Sequence, residues 1–187
     1  MGRTKDKRIT RDQWLAKALE IFARTGEGGL HVEKLARELN VAKSGFYWHF
    51  RDREDLLDNL FDYWNYEYND TVMRNPRVLD SDPRKRLAIV MTVVFNQNLA
   101  EYESSLQSWA RNDPDIARRY QRALKQRKDF VLDALKELGF EGEAAELRAR
   151  TFLSYLITER SPFRTSARVS RDSREPFLDM LLGPVKK

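Results

Sequence analysis

An all-α fold is predicted by three features of this sequence. Apolar residues recur at i, i+3, i+4 and i+7 in one stretch after another, which gathers them on one face of a helix. Helix-start signals recur too, in the form of Thr or Asp placed just ahead of an apolar-periodic run. Finally, no segment sustains the period-two alternation of a strand, and neither a nucleotide-binding glycine pattern nor an internal repeat is present.

The first helix starts at Thr10-Arg11-Asp12-Gln13, which has the form of a capping box, the Thr side chain accepting from an amide and the Gln reaching back. It carries Trp14, Leu15, Ala18, Leu19, Ile21 and Phe22 inward and ends before Gly26. Val32, Leu35, Ala36 and Leu39 mark a second, short amphipathic helix. Asn40 tolerates the left-handed conformation that ends a helix, and Val41 offers an apolar plug for the angle between two crossing helices. From Ala42 a further helical segment leads with Lys43, Ser44 and Gly45 and continues with Phe46, Tyr47 and Phe50.

Asp52 caps a helix that runs from Arg53 to about Val72. Asp82-Pro83 and Asp113-Pro114 each put a capping residue before a Pro at the first helical position. Leu138-Gly139-Phe140 is a glycine stop with an apolar follower, and Gly183-Pro184 ends the last helix. Helices are therefore expected at about 83–102, 104–111, 114–138, 143–161 and 174–182, with Ser161 to Ser173, rich in Arg and Ser, as a mobile loop.

At 187 residues the chain is long enough for one or two small domains with a proper core. It has no cysteine, which excludes a disulfide framework and thiolate metal sites and fits a reducing cytoplasm. The uncharged run Leu87 to Leu99 is too short to span a bilayer, and the basic N-terminus lacks the apolar core of a signal peptide, so a soluble cytoplasmic protein is expected. Enzymatic function is not expected. Both histidines lie in the first 50 residues, no Glu-x-x-His pair exists, and no Ser, His and Asp arrangement is evident. The paired carboxylates Asp129 and Asp133, and Glu143 and Glu146, have Arg and Lys nearby and read as a solvated, salt-bridged face. Neither a metal nor a cofactor is expected.

Charge is distributed unevenly. Residues 1–53 hold 12 Lys and Arg against 7 Asp and Glu, whereas residues 54–187 hold 22 of each, so the whole net charge of +5 lies in the first segment. This asymmetry suits a phosphate-binding footprint. The order of residues after Ala42 suits a recognition helix, whose small polar and cationic N-terminal residues meet DNA while later aromatics hold it to the domain. Gly45 would cost about 1 kcal/mol relative to alanine inside a helix. Either the backbone approaches DNA closely there, or a marginal helix is rescued by packing.

The segment and its flanks resemble the DNA-binding domain of the tetracycline repressor (TetR) family. The resemblance rests on Ile21-Phe22-Ala23 before Gly26, on Val32-Glu33-Lys34-Leu35-Ala36, on Asn40-Val41-Ala42-Lys43-Ser44-Gly45-Phe46-Tyr47-Trp48-His49-Phe50, and on Arg53-Glu54-Asp55-Leu56-Leu57. It covers roughly residues 10 to 60. Three positions depart from the family pattern: His31 stands where a capping Ser or Thr is usual, Asn40 where a Gly is usual, and Ala42 where a Ser is usual.

The resemblance implies a helix-turn-helix DNA-binding domain over residues 1–53 and a helical ligand-binding and dimerisation domain over residues 54–187. It implies a homodimer formed through about 143–161 and 174–182, which would present two such motifs to a near-palindromic operator. Repression, with release by a small, largely hydrophobic effector, is the family's usual mode. Lys43, Tyr47, His49, Arg51 and Arg53 are assigned to phosphates, and Ser44, Gly45 and Phe46 to base edges or thymine methyl groups. His31 is a further hydrogen-bond donor toward DNA. Arg3, Lys5, Lys7 and Arg8 form either an arm adding contacts to DNA or a disordered tail.

For the effector, Trp64, Tyr68, Phe95, Asn98, Trp109, Tyr120 and Tyr155 are the expected lining. The aromatics serve equally as ordinary core, and Asn98 either orients a ligand or sits at the surface. The alternative to a ligand-responsive regulator is a helical adaptor whose basic domain contacts protein or RNA.

Overall fold

The computed structural model describes residues 9–96, 100–158 and 174–183. Every regular element among them is helical. Helix α1 (Arg11–Thr25) opens with the expected capping box, Thr10 accepting from the amide of Gln13 at 3.2 Å while its own amide donates to the Gln13 side chain at 2.9 Å. A 3-10 turn (Glu27–Gly29) follows, and a Cβ at Gly29 would lie 2.3 Å from the Thr25 side chain, so only glycine fits there. Helix α2 (Val32–Leu39) ends at Asn40 with φ 55° and ψ 48°, the left-handed stop expected of that residue.

One expectation changes at the next element. Residues Lys43–Trp48 form a 3-10 helix rather than an α-helix. The physical reasons are local: Ala42 has no side chain with which to cap an α-helical first turn, and Gly45 weakens the middle of a segment only six residues long. Helix α3 (Arg53–Asn65) then starts at Asp52, whose carboxylate accepts from the Asp55 amide at 2.8 Å.

Helix α3 passes into a π-helical turn (Tyr66–Asp70) and the short helix α4 (Thr71–Met73), so the expected run to about Val72 is present with one irregular turn inside it. A short helix α5 (Pro76–Leu79), capped by Asn75, was not anticipated. Helices α6 (Pro83–Asn96), α7 (Ala100–Asn112), α8 (Pro114–Glu137), α9 (Gly142–Thr158) and α10 (Arg174–Leu182) complete the chain. The starts of α6 and α8 agree with the caps read from sequence, whereas α6 is described only to Asn96 and α7 already begins at Ala100, ahead of the expected 104. Asp113 accepts from the amides of Asp115 and Ile116 at 2.8 and 3.1 Å, and Asp82 from those of Arg84 and Lys85 at 3.0 and 3.2 Å. The Leu138-Gly139-Phe140 stop is a Schellman arrangement, with the Phe140 amide donating to the Leu135 carbonyl at 3.0 Å and Gly139 at φ 87°. The expected arm at Arg3 to Arg8, Asn98, and the expected loop from Ser161 to Ser173 lie outside the described residues.

Two apolar cores result. The first gathers Trp14, Phe22, Leu35, Phe46 and Phe50 from the N-terminal helices, and continues without a break through Leu60, Phe61 and Trp64 of α3 to Leu106 and Trp109 of α7 and to Ile116 and Tyr120 of α8. The second joins Leu87 and Met91 of α6, Val131 and Leu135 of α8, Phe152 and Leu156 of α9, and Phe177, Leu178 and Leu181 of α10. Helix α8, about 36 Å long at 1.5 Å per residue, belongs to both, its N-terminal half to the first and its C-terminal half to the second.

Charged side chains tie the periphery to these cores. Arg84 of α6 reaches Glu175 and Asp179 of α10 at 2.7 and 2.9 Å. The buried Arg86 binds Glu137 of α8 at 2.8 Å and the carbonyls of Leu79 and Ser81, which fastens the α5 turn against the bundle. Three of the four paired carboxylates are salt-bridged as expected, Asp129 to Lys125, Asp133 to Lys136 and Glu146 to Lys128.

Trp109 is the element by which the N-terminal helices are joined to the bundle. Its ring meets Phe22 of α1 edge-on at 5.5 Å and Phe61 of α3 at 6.4 Å, and Ser105 one turn earlier donates to the Ala23 carbonyl at 3.2 Å. Trp109→Ala is expected to lower unfolding stability by about 3–5 kcal/mol through the lost burial and the cavity left behind. Urea denaturation followed by circular dichroism measures this, and a loss below about 1 kcal/mol would show that the joint is not a packing element.

Candidate nucleic-acid interface

The outer face of the N-terminal domain is built around a buried anchor. Phe46 lies in the middle of the 3-10 helix and is fully buried, meeting Trp14 edge-on at 5.8 Å and Phe50 at 5.1 Å. It fixes the 3-10 helix to α1, so the residues flanking it point outward. His31, Lys43, Ser44, Tyr47, Trp48 and Arg51 are all exposed. Tyr47 keeps 54% of its surface in solvent and Trp48 85%.

Those two aromatics stand largely in solvent beside Lys43 and Arg51. Tyr47 meets Phe46 edge-on at 5.3 Å, and the Lys43 ammonium lies 6.0 Å from its ring centre. Lys43 also binds Glu33 of α2, and that bond pushes the Glu33 carboxyl below the usual carboxylate range and the Lys43 ammonium above its own. Both groups are consequently charged throughout the physiological range. Arg51 is almost wholly exposed and faces Asp55 at 3.6 Å.

Several residues assigned to DNA from sequence have other employment. Phe46 cannot read a thymine methyl group from inside the core, where its apolar ring is held by three aromatic neighbours. The Arg53 guanidinium donates to the Leu30 carbonyl at 2.9 Å and to the Glu27 carbonyl at 2.6 Å, and also pairs with the Glu27 carboxylate. It clamps the turn before α2 to the start of α3. The Nε2 of His49 donates to the Ile9 carbonyl at 3.0 Å and so ties the chain ahead of α1 to the end of the 3-10 helix. His31 makes no side-chain cap on α2 and is exposed.

Gly45 is neither in the left-handed region nor crowded. A Cβ there would meet only the Trp14 ring, at an ordinary 3.7 Å. Nothing inside the protein requires glycine at this position. Trp48 is the residue that sequence reasoning passed over. Its signal was the local spacing: with Phe46 and Phe50 turned inward, the residue between Tyr47 and His49 is left on the outside.

A cavity of about 80 Å³ lies in the bundle, between the π-helical turn and helices α6, α7, α8 and α9. Of the side chains expected to line a ligand site, Tyr68 does so. Trp64 and Trp109 are instead packed in the first core, and Tyr120 is buried there with its hydroxyl on Glu103. Phe95 and Tyr155 belong to the second core, where Tyr155 stacks on Phe177 at 3.9 Å. Helical periodicity places all these residues inward, but it cannot tell a wall from a filled interior.

The cavity has an aliphatic body and one polar end. Val72, Met73, Val90, Val94, Leu153 and Ile157 are among the aliphatic walls, and Asn69, Glu103 and Arg127 supply the polar end. Glu103, 4% exposed, accepts from the Tyr120 hydroxyl and binds Arg127 at 3.1 Å. Arg127 Nε donates to the Asn69 side chain at 2.6 Å, and the guanidinium lies 5.1 Å from the centre of the Trp64 ring. Burial, with Glu103 beside it, pushes the Tyr120 hydroxyl well above its ordinary range, and burial and a bond with Tyr102 do the same for Tyr68, so both remain neutral. Asn69 reaches this cluster from the π-helical turn, a feature that is rare in helices and recurs at functional sites.

Among the described residues no group of His, Asp and Glu could hold a metal ion, and no helix is long and apolar enough to cross a membrane.

Comparison with known proteins bears on both regions. Residues 15–60 match the family model described as bacterial regulatory proteins, tetR family. The HTH-type transcriptional regulator YuxN of Bacillus subtilis, itself uncharacterized, is 29% identical over 86 residues, which cover 46% of this chain and 29% of that protein. The class D tetracycline repressor protein of Escherichia coli is 38% identical over 53 residues, 28% of this chain and 24% of the repressor. The chain thus matches under a third of the length of either relative. Over nearly its whole length it has the fold of AibR, whose structure was solved in complex with isovaleryl coenzyme A and operator DNA, with a TM-score of 0.71, 20% identity, and 94% of this chain and 100% of that one covered. With its helix-turn-helix and the aromatic and cationic face that the motif exposes, the segment of residues 15–60 is similar to the DNA-binding region of the tetR family of bacterial regulatory proteins.

Proposed function

We propose that this protein is a ligand-responsive transcriptional repressor that binds a near-palindromic operator as a homodimer, reading DNA with residues 1–53 and taking its effector and its partner subunit through residues 54–187. The observation that carries the reading is the exposed face of Lys43, Ser44, Tyr47, Trp48 and Arg51, held outward by the buried Phe46. Such a face costs a free protein solubility, and a DNA groove is the surface that complements it. Lys43, Tyr47 and Arg51 are assigned to phosphates and Ser44 to a base edge, with His31 as a further donor. Trp48 joins them as the apolar contact to a sugar or thymine methyl that Phe46 was first expected to make. Gly45, which nothing inside the protein requires, lets the backbone approach the duplex.

Dimerisation through α9 and α10 is supported by their outer surfaces. Leu147 and Met180 are 56% and 70% exposed and flank a shallow apolar hollow that also involves Pro176 and Phe177. A two-fold axis there would cover this face and set the two DNA-binding heads about one helical turn of DNA apart or somewhat more. The cavity supplies an effector site, and the AibR complex shows one protein of this fold with both a coenzyme A thioester and operator DNA. A mobility-shift assay on the DNA flanking the protein's own gene tests the reading as a whole. Failure to shift any palindromic duplex at moderate salt would overturn it.

Lys43→Ala is expected to weaken binding to all duplexes and to flatten the dependence of log K on log salt by about one unit. Glu33→Gln, which releases Lys43 from its partner, is expected to tighten binding several-fold, as followed by fluorescence anisotropy over a salt series. An unchanged slope for the first would remove Lys43 from the phosphate contacts.

Trp48→Ala and Phe46→Ala separate contact from core. The Trp48 variant should lose at least tenfold in operator affinity with stability within about 0.5 kcal/mol of the parent, as expected of a surface change. The Phe46 variant should lose about 3–5 kcal/mol of stability. Equal loss of stability in both would sink the assignment of Trp48.

Leu147→Glu with Met180→Glu should convert the dimer to a monomer in sedimentation velocity while helical content is retained. A dimer that survives both charges would place the interface elsewhere.

A further inference from the structure

The polar end of the cavity is chemically specific in a way that its aliphatic walls are not. Glu103 and Arg127 are both largely removed from solvent and bind each other at 3.1 Å, so the pair presents one negative and one positive group whose charges cancel. Glu103 is completed by the Tyr120 hydroxyl and Arg127 by Asn69. A carboxylate ligand would have to take Arg127 from Glu103, leaving a buried carboxylate held only by a phenol. An ammonium ligand would have to take Glu103 from Arg127, leaving a buried cation. Breaking a buried ion pair from either side is strongly unfavourable.

A neutral group that both donates and accepts meets no such obstacle. It can donate to the second lone pair of a Glu103 oxygen and accept from an Arg127 N–H while the pair stays intact. The cavity, at about 80 Å³, has room for roughly five to eight water-sized groups, since one such group occupies about 10–15 Å³ by this measure. Val72, Val90, Val94, Leu153 and Ile157 among its remaining walls offer only apolar contact, and the Tyr68 hydroxyl there is already bonded to Tyr102.

We propose that this cavity takes a short, uncharged aliphatic molecule bearing one polar group that both donates and accepts, a primary amide or an alcohol of about five carbons, with its head on Glu103 and Arg127 and its chain between α6 and α9. The proposal rests on the reading of the bundle as an effector domain and names the class of effector. Because Asn69 of the π-helical turn is bonded to Arg127, the head group acts at the point where α3, which leaves the DNA-binding motif, meets the cavity.

The test is calorimetric titration of the full-length protein, without DNA, with pentanamide, pentan-1-ol, pentanoate and pentylammonium at pH 7, followed by amides of three to nine carbons. The neutral pair should bind at least tenfold more tightly than either ion, with an optimum near five or six carbons. Equal or tighter binding of pentanoate, no optimum in chain length, or no binding of any amide or alcohol would overturn the proposal.

Glu103→Gln should invert the selectivity, since Arg127 is then left with an uncompensated charge and pentanoate becomes the preferred ligand. A merely structural Glu103 would weaken all four compounds alike. Should that variant fail to fold by circular dichroism, Val93→Trp, which fills the cavity from a partly exposed wall, must abolish pentanamide binding, and binding that persists overturns the proposal. Operator binding is measured separately. A protein released from DNA by a coenzyme A thioester but by none of the neutral compounds keeps the regulator reading and loses this one, whereas saturable amide binding in a protein that binds no DNA does the reverse.

Discussion

The bond between Glu103 and Arg127 is the constraint around which the bundle is arranged. Two opposite charges cannot be buried singly, so α7 and α8 must meet at this point with Tyr120 and Asn69 in place to complete the hydrogen bonds. The apolar side chains then divide on either side of it. Toward the N-terminal end of α8, Ile116, Tyr120 and Ala123 join the core of the N-terminal helices, and toward its C-terminal end Val131, Leu132 and Leu135 join that of α6, α9 and α10. The cavity lies where the two cores fail to merge. A polar pair at a junction is poorly covered by aliphatic side chains, and the space beside it is what remains.

The same arrangement joins the interior to the surface proposed to face DNA. Helix α7 carries Glu103 at the cavity and Trp109 less than two turns later, where that ring is wedged between Phe22 and Phe61. Helix α3 carries Leu56 and Leu57 in the N-terminal core and runs into the turn that brings Asn69 to Arg127. Two continuous runs of buried aromatic and hydrogen-bonded contacts therefore connect the cavity with the helix-turn-helix. Densely packed interiors transmit displacement because they are not compressible.

On the outer face, rigidity and availability are separated by residue. Phe46, His49 and Arg53 are spent inside the domain, as core, as a tie to Ile9 and as a clamp on Glu27 and Leu30, and the first two hold the 3-10 helix in one position. Lys43, Tyr47, Trp48 and Arg51 are left for contact. An interface presented by a short, glycine-containing helix depends on such internal ties, because six residues cannot fix their own conformation.

Local physics was legible in the sequence. The capping box at Thr10, the left-handed Asn40, the caps at Asp52, Asp82 and Asp113 and the stop at Gly139 depend on interactions among residues two to five apart, and all are formed as read. So was the inward direction of Trp64, Trp109 and Tyr155, which periodicity alone determines. What those inward side chains meet is decided by other helices, and only the tertiary structure makes three of them core and hands the cavity to Glu103, Arg127 and Asn69, residues drawn from elements far apart in the chain. The division among Phe46, Trp48 and Arg53 has the same origin. Phe46 and Arg53 read alike as DNA contacts while Trp48 between them did not, and whether each side chain faces solvent or the domain depends on whether α1 and the Glu27 turn lie behind it.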